Sequence, residues 1–89
     1  MVTTRTVTIL NRAGIHARPA SLIVQTAQAF ESSIWLEKDS VKINAKSIMN
    51  LLTLGATYKT KLALSAEGPD EDDAVIELSR LFENKFKEE

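Results

Sequence analysis

Four short segments of this chain alternate apolar and polar residues, and this pattern constrains the fold more than any other feature. In the first segment, residues 5–10, Val7 and Ile9 fall on one face and threonines fall on the other. The alternation recurs at 34–37, 41–44 and 61–66. Strands that bury only one face are typical of a mostly antiparallel sheet whose other face meets solvent.

Three further segments have the spacing of amphipathic helices. The first starts near Pro19, and its apolar residues recur at helical intervals over about three turns. The second begins at Ser47, a favourable N-cap residue, and should end near Gly55. The third follows Gly68-Pro69, with Asp70 or a neighbouring acid as its predicted cap.

The order of these segments is βαββαβα. We therefore expect an α/β (α+β) fold of the open-faced sandwich type, with a four-stranded, mostly antiparallel sheet and three helices on one face. At 89 residues the chain has room for a single domain, spanning 1–89.

Composition excludes several classes of function. The chain has no cysteine and one histidine, so we expect no disulfide, no metal site and no cofactor held by such ligands. The 11 basic and 12 acidic residues are scattered, which argues against nucleic acid as a partner. Without a membrane-length apolar run or a secretory signal, a cytoplasmic protein that does not insert into membranes is expected.

The single histidine, His16, lies in the hexapeptide Gly-Ile-His-Ala-Arg-Pro at 14–19. Proline is favoured in the first turn of a helix, so Pro19 predicts a helix N-terminus within a residue or two of His16. Free backbone N–H groups and the positive end of the helix dipole favour an anion there. The guanidinium of Arg18 matches phosphate oxygens. The segment therefore predicts a nucleophilic imidazole beside a phosphate-binding site.

The second helix carries more apolar residues than so short an element can bury. One interpretation is that two of them are core residues and the others are incidental. The other, which we favour, is that Ile48, Met49 and Leu52 form an exposed apolar patch near His16. Exposed patches of this kind mark docking surfaces, and a flexible methionine suits several partners.

A small domain that binds RNA on its open sheet is an alternative from a different functional class. That function requires paired aromatic side chains at exposed strand positions. Trp35 is the only residue that qualifies, so this alternative is disfavoured.

Two motifs resemble those of the HPr family, the histidine-containing phosphocarriers of the bacterial phosphoenolpyruvate-dependent phosphotransferase system. One is the heptapeptide 14–20, which contains His16, and the other is Asn-Ala-Lys-Ser-Ile-Met at 44–49. They occur in the family's order with Leu-Gly at 54–55 and Ala-Glu-Gly at 66–68, and the similarity covers nearly the whole chain. Asn50 and Lys59 depart from the pattern, because glycine is common in the family at both positions.

The resemblance implies that His16 accepts a phosphoryl group from enzyme I and passes it to enzyme IIA domains for sugar uptake. Arg18 would neutralise the phosphate, and Ala17 and Arg18 would offer backbone N–H groups to it. Ser47 matches a serine that HPr kinase/phosphorylase modifies, although its role as an N-cap needs no modification. The protein would be a monomeric carrier rather than an enzyme.

The acidic, aromatic-containing tail around Leu81-Phe82 and Phe86 is also similar to that of nitrogen-branch paralogues. The alternative within the family is therefore a nitrogen-branch regulatory carrier that is not coupled to sugar transport.

Overall fold

The computed structural model describes residues 1–88 and confirms the predicted order of elements. The elements are β1 Val2–Thr8, α1 Ala17–Gln28, β2 Ser33–Lys38, β3 Val41–Asn44, α2 Ile48–Leu54, β4 Lys61–Glu67 and α3 Glu71–Glu83, followed by a 3-10 turn at Lys85–Lys87. The four strands form one sheet in the order β1-β4-β2-β3, and every neighbouring pair is antiparallel. The helices cover one face of this sheet, as the alternation predicts.

Paired apolar residues of the two central strands form the sheet side of the core. Leu36 of β2 lies opposite Leu64 of β4, and Ile34 lies opposite Ala66. All four are at most 1% exposed. Since alternate residues of a strand point to opposite faces, this register places Trp35 and Ser65, the pair between them, on the outer face of the sheet.

The first strand lies earlier in the chain than the predicted range of 5–10. It ends at Thr8, and Ile9 follows it as a fully buried residue whose N–H donates to the carbonyl of Thr60 at 2.9 Å. The threonines and Arg5 near its start pair with β4 although they are largely exposed. Backbone pairing with β4 extends the strand toward the N-terminus. The alternation of apolar side chains does not predict this extension, because the residues involved are exposed.

A tight turn joins β2 to β3, at the predicted position. Asp39 and Ser40 have φ values of 50° and 70°. Positive φ at both central residues is the geometry that matches the twist of a two-residue hairpin. The predicted hairpin is therefore confirmed.

The third helix begins at the predicted place with Asp70 as its N-cap residue, but within residues 1–88 the Asp70 side chain makes no capping hydrogen bond. The carboxylate instead accepts hydrogen bonds from the backbone N–H groups of Glu31 and Ser32, both at 3.0 Å, and from the Ser32 hydroxyl. The Ser32 hydroxyl is the main cause of a lowered pKa at Asp70. The predicted N-cap position of Asp70 is therefore confirmed, whereas the expected side-chain cap is missing because the carboxylate joins the start of α3 to the segment before β2.

Candidate functional site

His16 occupies the N-cap position of α1. Its backbone is extended, with φ −105° and ψ −165°, and its carbonyl accepts the first helical hydrogen bond from Ala20 at 3.0 Å. Within residues 1–88 its side chain makes no capping hydrogen bond. The imidazole is 44% exposed. The predicted position at the start of a helix is therefore observed, with the ring open to solvent.

The first two residues of α1, Ala17 and Arg18, are exposed and follow the imidazole directly. N–H groups in the first turn of a helix have no intrahelical acceptor. Pro19, the next residue, has no N–H and is buried. The helix start thus offers main-chain donors beside His16, at the positive end of the α1 dipole.

A tight contact fixes the loop that leads into His16. Gly14 has φ +72°, and a Cβ at this position would lie 2.7 Å from the carbonyl oxygen of Ala56. The N–H of Ile15 donates to that same carbonyl at 3.1 Å. A glycine is required here because the backbone is both left-handed and in close approach to its neighbour.

A carboxylate of the C-terminal tail contacts the imidazole, and no local sequence pattern predicts this contact. Oε2 of Glu88 lies 2.7 Å from Nε2 of His16, and Oε1 accepts a hydrogen bond from Nδ2 of Asn11 at 2.8 Å. The Asn11 hydrogen bond is the main cause of a lowered pKa at Glu88, and His16 and the charge of Arg18 lower that pKa further. Three polar side chains therefore meet at one end of α1.

Asn11 connects this carboxylate to the loop before the helix. Its side chain is fully buried, and Nδ2 also donates to the carbonyl of Gly14 at 2.8 Å. Its other polar atom, Oδ1, has no hydrogen-bond partner among the described residues. The position of Glu88 is thus tied to the same loop that places His16.

A buried aromatic residue anchors the tail that carries Glu88. Phe86 is fully buried and packs edge-to-face on Phe82 of α3, with ring centroids 4.9 Å apart. Lys85, Phe86 and Lys87 all have φ between 55° and 60°. The apolar Phe86 in a charged tail was the one sequence signal that the tail packs on the domain, although it did not indicate what Glu88 contacts.

Ser47 is the N-cap of α2, as predicted. Its hydroxyl oxygen accepts a hydrogen bond from the N–H of Asn50 at 3.2 Å, and the residue is half-buried. Gly55 ends the helix with φ +68°, also as predicted.

The apolar patch of Ile48, Met49 and Leu52 is exposed by 42%, 70% and 40%, respectively. Leu51 and Leu54 of the same helix are buried in the core. Helix α2 packs against α1, the helix that begins at His16. The exposure of the patch is therefore as expected, and its role in docking stays a prediction.

Trp35 lies half-buried on the outer face of the sheet, where the Lys42 ammonium sits 4.6 Å from its ring centroid. The ring is therefore not an open platform for a nucleic acid base.

Among residues 1–88, no three histidine, cysteine or carboxylate side chains group closely enough to hold a metal ion. No helix in this part of the chain has the length and apolar character of a membrane span.

Comparison with known proteins agrees with this fold over nearly the whole chain. The family profile described as "PTS HPr component phosphorylation site" matches residues 3–84. The phosphocarrier protein HPr of Treponema pallidum is 53% identical over 85 residues, which cover 96% of this chain and 97% of the relative.

Two solved structures from Thermoanaerobacter tengcongensis are also similar. The structure described as HPr-C-His superposes with a TM-score of 0.94 at 52% identity and covers 98% of each chain. The structure described as an HPr dimer has a TM-score of 0.79 at 52% identity, covering 92% of this chain and 94% of that one.

The open-faced fold, together with these matches, defines a small phosphocarrier domain of the phosphotransferase system. Within that class, the chain belongs to the HPr family.

Proposed function

We propose that His16 accepts a phosphoryl group from phosphorylated enzyme I and passes it to enzyme IIA domains during sugar uptake. The chain then acts as a carrier and a substrate of its partners rather than as an enzyme, as a monomer in the cytoplasm. The observation that carries this proposal is the exposed imidazole at the N-cap of α1, next to the main-chain donors of Ala17 and Arg18.

The contact with Glu88 favours Nδ1 as the accepting nitrogen. A neutral imidazole has one N–H donor and one nitrogen with a free lone pair. If Nε2 holds the hydrogen and donates it to the carboxylate, the lone pair lies on Nδ1. Attack by Nδ1 forms the N–P bond while the bond from phosphorus to the donor's atom breaks, and that electron pair leaves with the donor.

The surroundings of the ring suit a group that arrives and leaves as an anion. Phosphoryl transfer depends mainly on positioning and on stabilisation of charge, which a helix start supplies without a deep pocket. The N–H groups of α1 and the guanidinium of Arg18 favour negative charge there. The partner protein would complete the site from the solvent side.

We expect the partners to dock on the exposed apolar patch, since it lies on the helix packed against α1. Ser47 borders this patch as the N-cap of α2. Phosphorylation of Ser47 by an HPr kinase/phosphorylase would place negative charge at a helix N-terminus, which the fold tolerates, while changing the charge of the docking surface. Ser47→Asp should accordingly weaken partner binding measured by calorimetry, and unchanged affinity would contradict this regulation.

The proposal assigns the carrier to the sugar branch, and a nitrogen-branch regulatory carrier is the alternative. Deletion of the gene distinguishes the two. Loss of sugar uptake would support the proposal, whereas unchanged uptake with altered nitrogen or potassium regulation would identify a nitrogen-branch carrier. Sedimentation would test the monomer, because one similar solved structure is described as a dimer.

Mass spectrometry after incubation with enzyme I and phosphoenolpyruvate tests the phosphoryl acceptor. We expect one acid-labile, base-stable phosphate on the wild-type protein and none on His16→Ala. Ser47→Ala is the matched control, and it should be labelled normally. Labelling that persists in His16→Ala would refute the assignment.

A further inference from the structure

We infer that Glu88 is a positioning residue for His16: the C-terminal tail, anchored by Phe86, holds the carboxylate on Nε2 and leaves Nδ1 as the nitrogen with the free lone pair. This inference rests on the proposed role of His16 and adds a residue outside both sequence motifs. The contact also joins the last described residue to the start of the first helix.

The carboxylate is held on two sides, which fixes its orientation. One oxygen contacts His16 at 2.7 Å and the other accepts from Asn11 at 2.8 Å. Asn11 is in turn held by the carbonyl of Gly14. The Glu88 side chain is only 16% exposed although it lies in the tail. A surface glutamate that met the ring by chance would not be enclosed in this way.

The backbone conformation of residues 85–87 brings Glu88 to the ring of His16. Three consecutive non-glycine residues, 85–87, adopt positive φ, which is unfavourable for residues with a Cβ and persists where other contacts impose it. The complete burial of Phe86 against Phe82 supplies such a contact. The reversal directs the chain from the end of α3 back to the ring.

A carboxylate in this position has a definite chemical effect. It accepts the Nε2 hydrogen, selects that tautomer and limits rotation of the ring, as the orienting acid does for the histidine of catalytic triads. After phosphoryl transfer to Nδ1 the Nε2 hydrogen remains, and the carboxylate still balances charge on the ring. Loss of Glu88 should slow phosphorylation without removing the acceptor.

Glu88→Ala and Glu88→Gln test this role through two measurements. The first is the initial rate of phosphorylation by enzyme I and phosphoenolpyruvate, and the second is the exchange of the His16 Nε2 hydrogen with water, followed by NMR. We expect Glu88→Ala to be phosphorylated about 10–100-fold more slowly, by analogy with the loss of the orienting partner of a metal-ligating histidine, and to exchange that hydrogen faster. Glu88→Gln should be intermediate, since its amide oxygen accepts the same hydrogen bond.

Glu77→Ala is the matched control, because Glu77 is also a surface glutamate with a 2.7 Å charged partner, Arg80. It should leave both measurements at wild-type values. A wild-type phosphorylation rate in Glu88→Ala would overturn the inference, whether or not exchange changes. Absence of labelling on wild-type His16 would instead refute the proposed function, and the exchange measurement would still report the contact.

Phe86→Ala tests the anchor, since it leaves Glu88 in the chain but frees the tail. We expect the same slower phosphorylation and faster exchange as in Glu88→Ala, and near-wild-type behaviour in Phe86→Leu. Thermal unfolding checks that each variant is folded. If Phe86→Ala does not fold, the Glu88→Ala measurements alone decide whether Glu88 positions His16. A folded Phe86→Ala with wild-type rate and exchange would contradict the anchoring role.

Discussion

The N-termini of α1 and α2 have similar backbones but use their N-cap side chains differently. His16 and Ser47 are both extended, with φ values of −105° and −121°. The Ser47 hydroxyl accepts a hydrogen bond from the helix, whereas the His16 ring makes no such bond within residues 1–88. At α2 the side chain stabilises the helix, and at α1 it remains available for chemistry.

The lengths and packing of the two helices explain why α1 is stable without a side-chain cap. Helix α1 has 12 residues and buries five of them, from Pro19 to Ala27, against the core. Helix α2 has seven residues and buries two. Short helices are marginal without outside support, so a capping bond matters more for α2. The packing of α1 stabilises it without one.

Among the variants that keep the acceptor ring, Arg18→Ala should have the largest effect, and it should act on transfer alone. Removing one preorganised group that stabilises developing charge costs about 10²–10³-fold in rate. Arg18 is exposed, so we expect its loss to change the free energy of unfolding by less than about 0.5 kcal/mol. Rates of labelling by enzyme I measure the first effect, with Arg80→Ala as the control. Equal rates in Arg18→Ala and wild type would count against a phosphate site at α1.

Gly14→Ala and Gly55→Ala compare the loop before α1 with the end of α2. Both glycines are left-handed, and alanine in that region costs about 1–2 kcal/mol. At Gly55 the nearest atom to a new Cβ is 4.0 Å away, but at Gly14 it is a backbone oxygen at 2.7 Å. Overpacking adds about 1–3 kcal/mol.

We therefore expect Gly14→Ala to be the more destabilising of the two in urea denaturation. Similar losses in both variants would show that the close approach to Ala56 does not constrain the loop that carries His16.

Ser47→Ala and His16→Ala test the comparison of the two caps directly. Loss of the Ser47 side-chain bond should destabilise the protein by about 0.5–2 kcal/mol. The corresponding change at His16 removes no cap and only the partly exposed contact with Glu88, so the loss should be smaller than at Ser47 and within about 1 kcal/mol. Denaturation midpoints measure both values, and a larger loss at His16 would reverse the interpretation.

Asp70→Asn should give the smallest effect, visible as a pH dependence. The pKa of Asp70 is lowered in the folded protein, chiefly by the Ser32 hydroxyl, so the carboxylate stabilises the fold above its ordinary pKa of 3.8. This contribution is lost as pH falls through the lowered value. Melting temperatures of the variant and the wild type should differ at neutral pH and converge in acid below 3.8. A difference that is independent of pH would show that the ionised carboxylate is not responsible.

Elements with a strong local signal could be predicted from the sequence. The order of strands and helices, the caps at Ser47 and Gly55 and the exposure of Met49 all follow from patterns within a few residues. The position of His16 at a helix start follows from Pro19, three residues away. Each of these features depends on local spacing, so a single sequence contains the information.

Features that depend on distant contacts could not be predicted. Glu88 meets His16 across 72 positions, through a reversal of non-glycine residues that has no sequence signature. Asp70 has the residue type and position of a cap, but its carboxylate is engaged by Ser32, 38 positions away. Lys59 similarly adopts φ +71° at a position where glycine was expected, because backbone bonds on both sides of the turn hold it there.

The proline in the first turn of α1 has a consequence for how the site would treat a tetrahedral ligand. Pro19 cannot donate, so the sequence of main-chain donors after the ring stops at Arg18. Two neighbouring amides can hold two of the three terminal oxygens of a phosphoryl group, and the third would face outward. A phosphoryl group held through only two of its oxygens stays accessible to the next acceptor. A carrier protein must release the group as readily as it binds it.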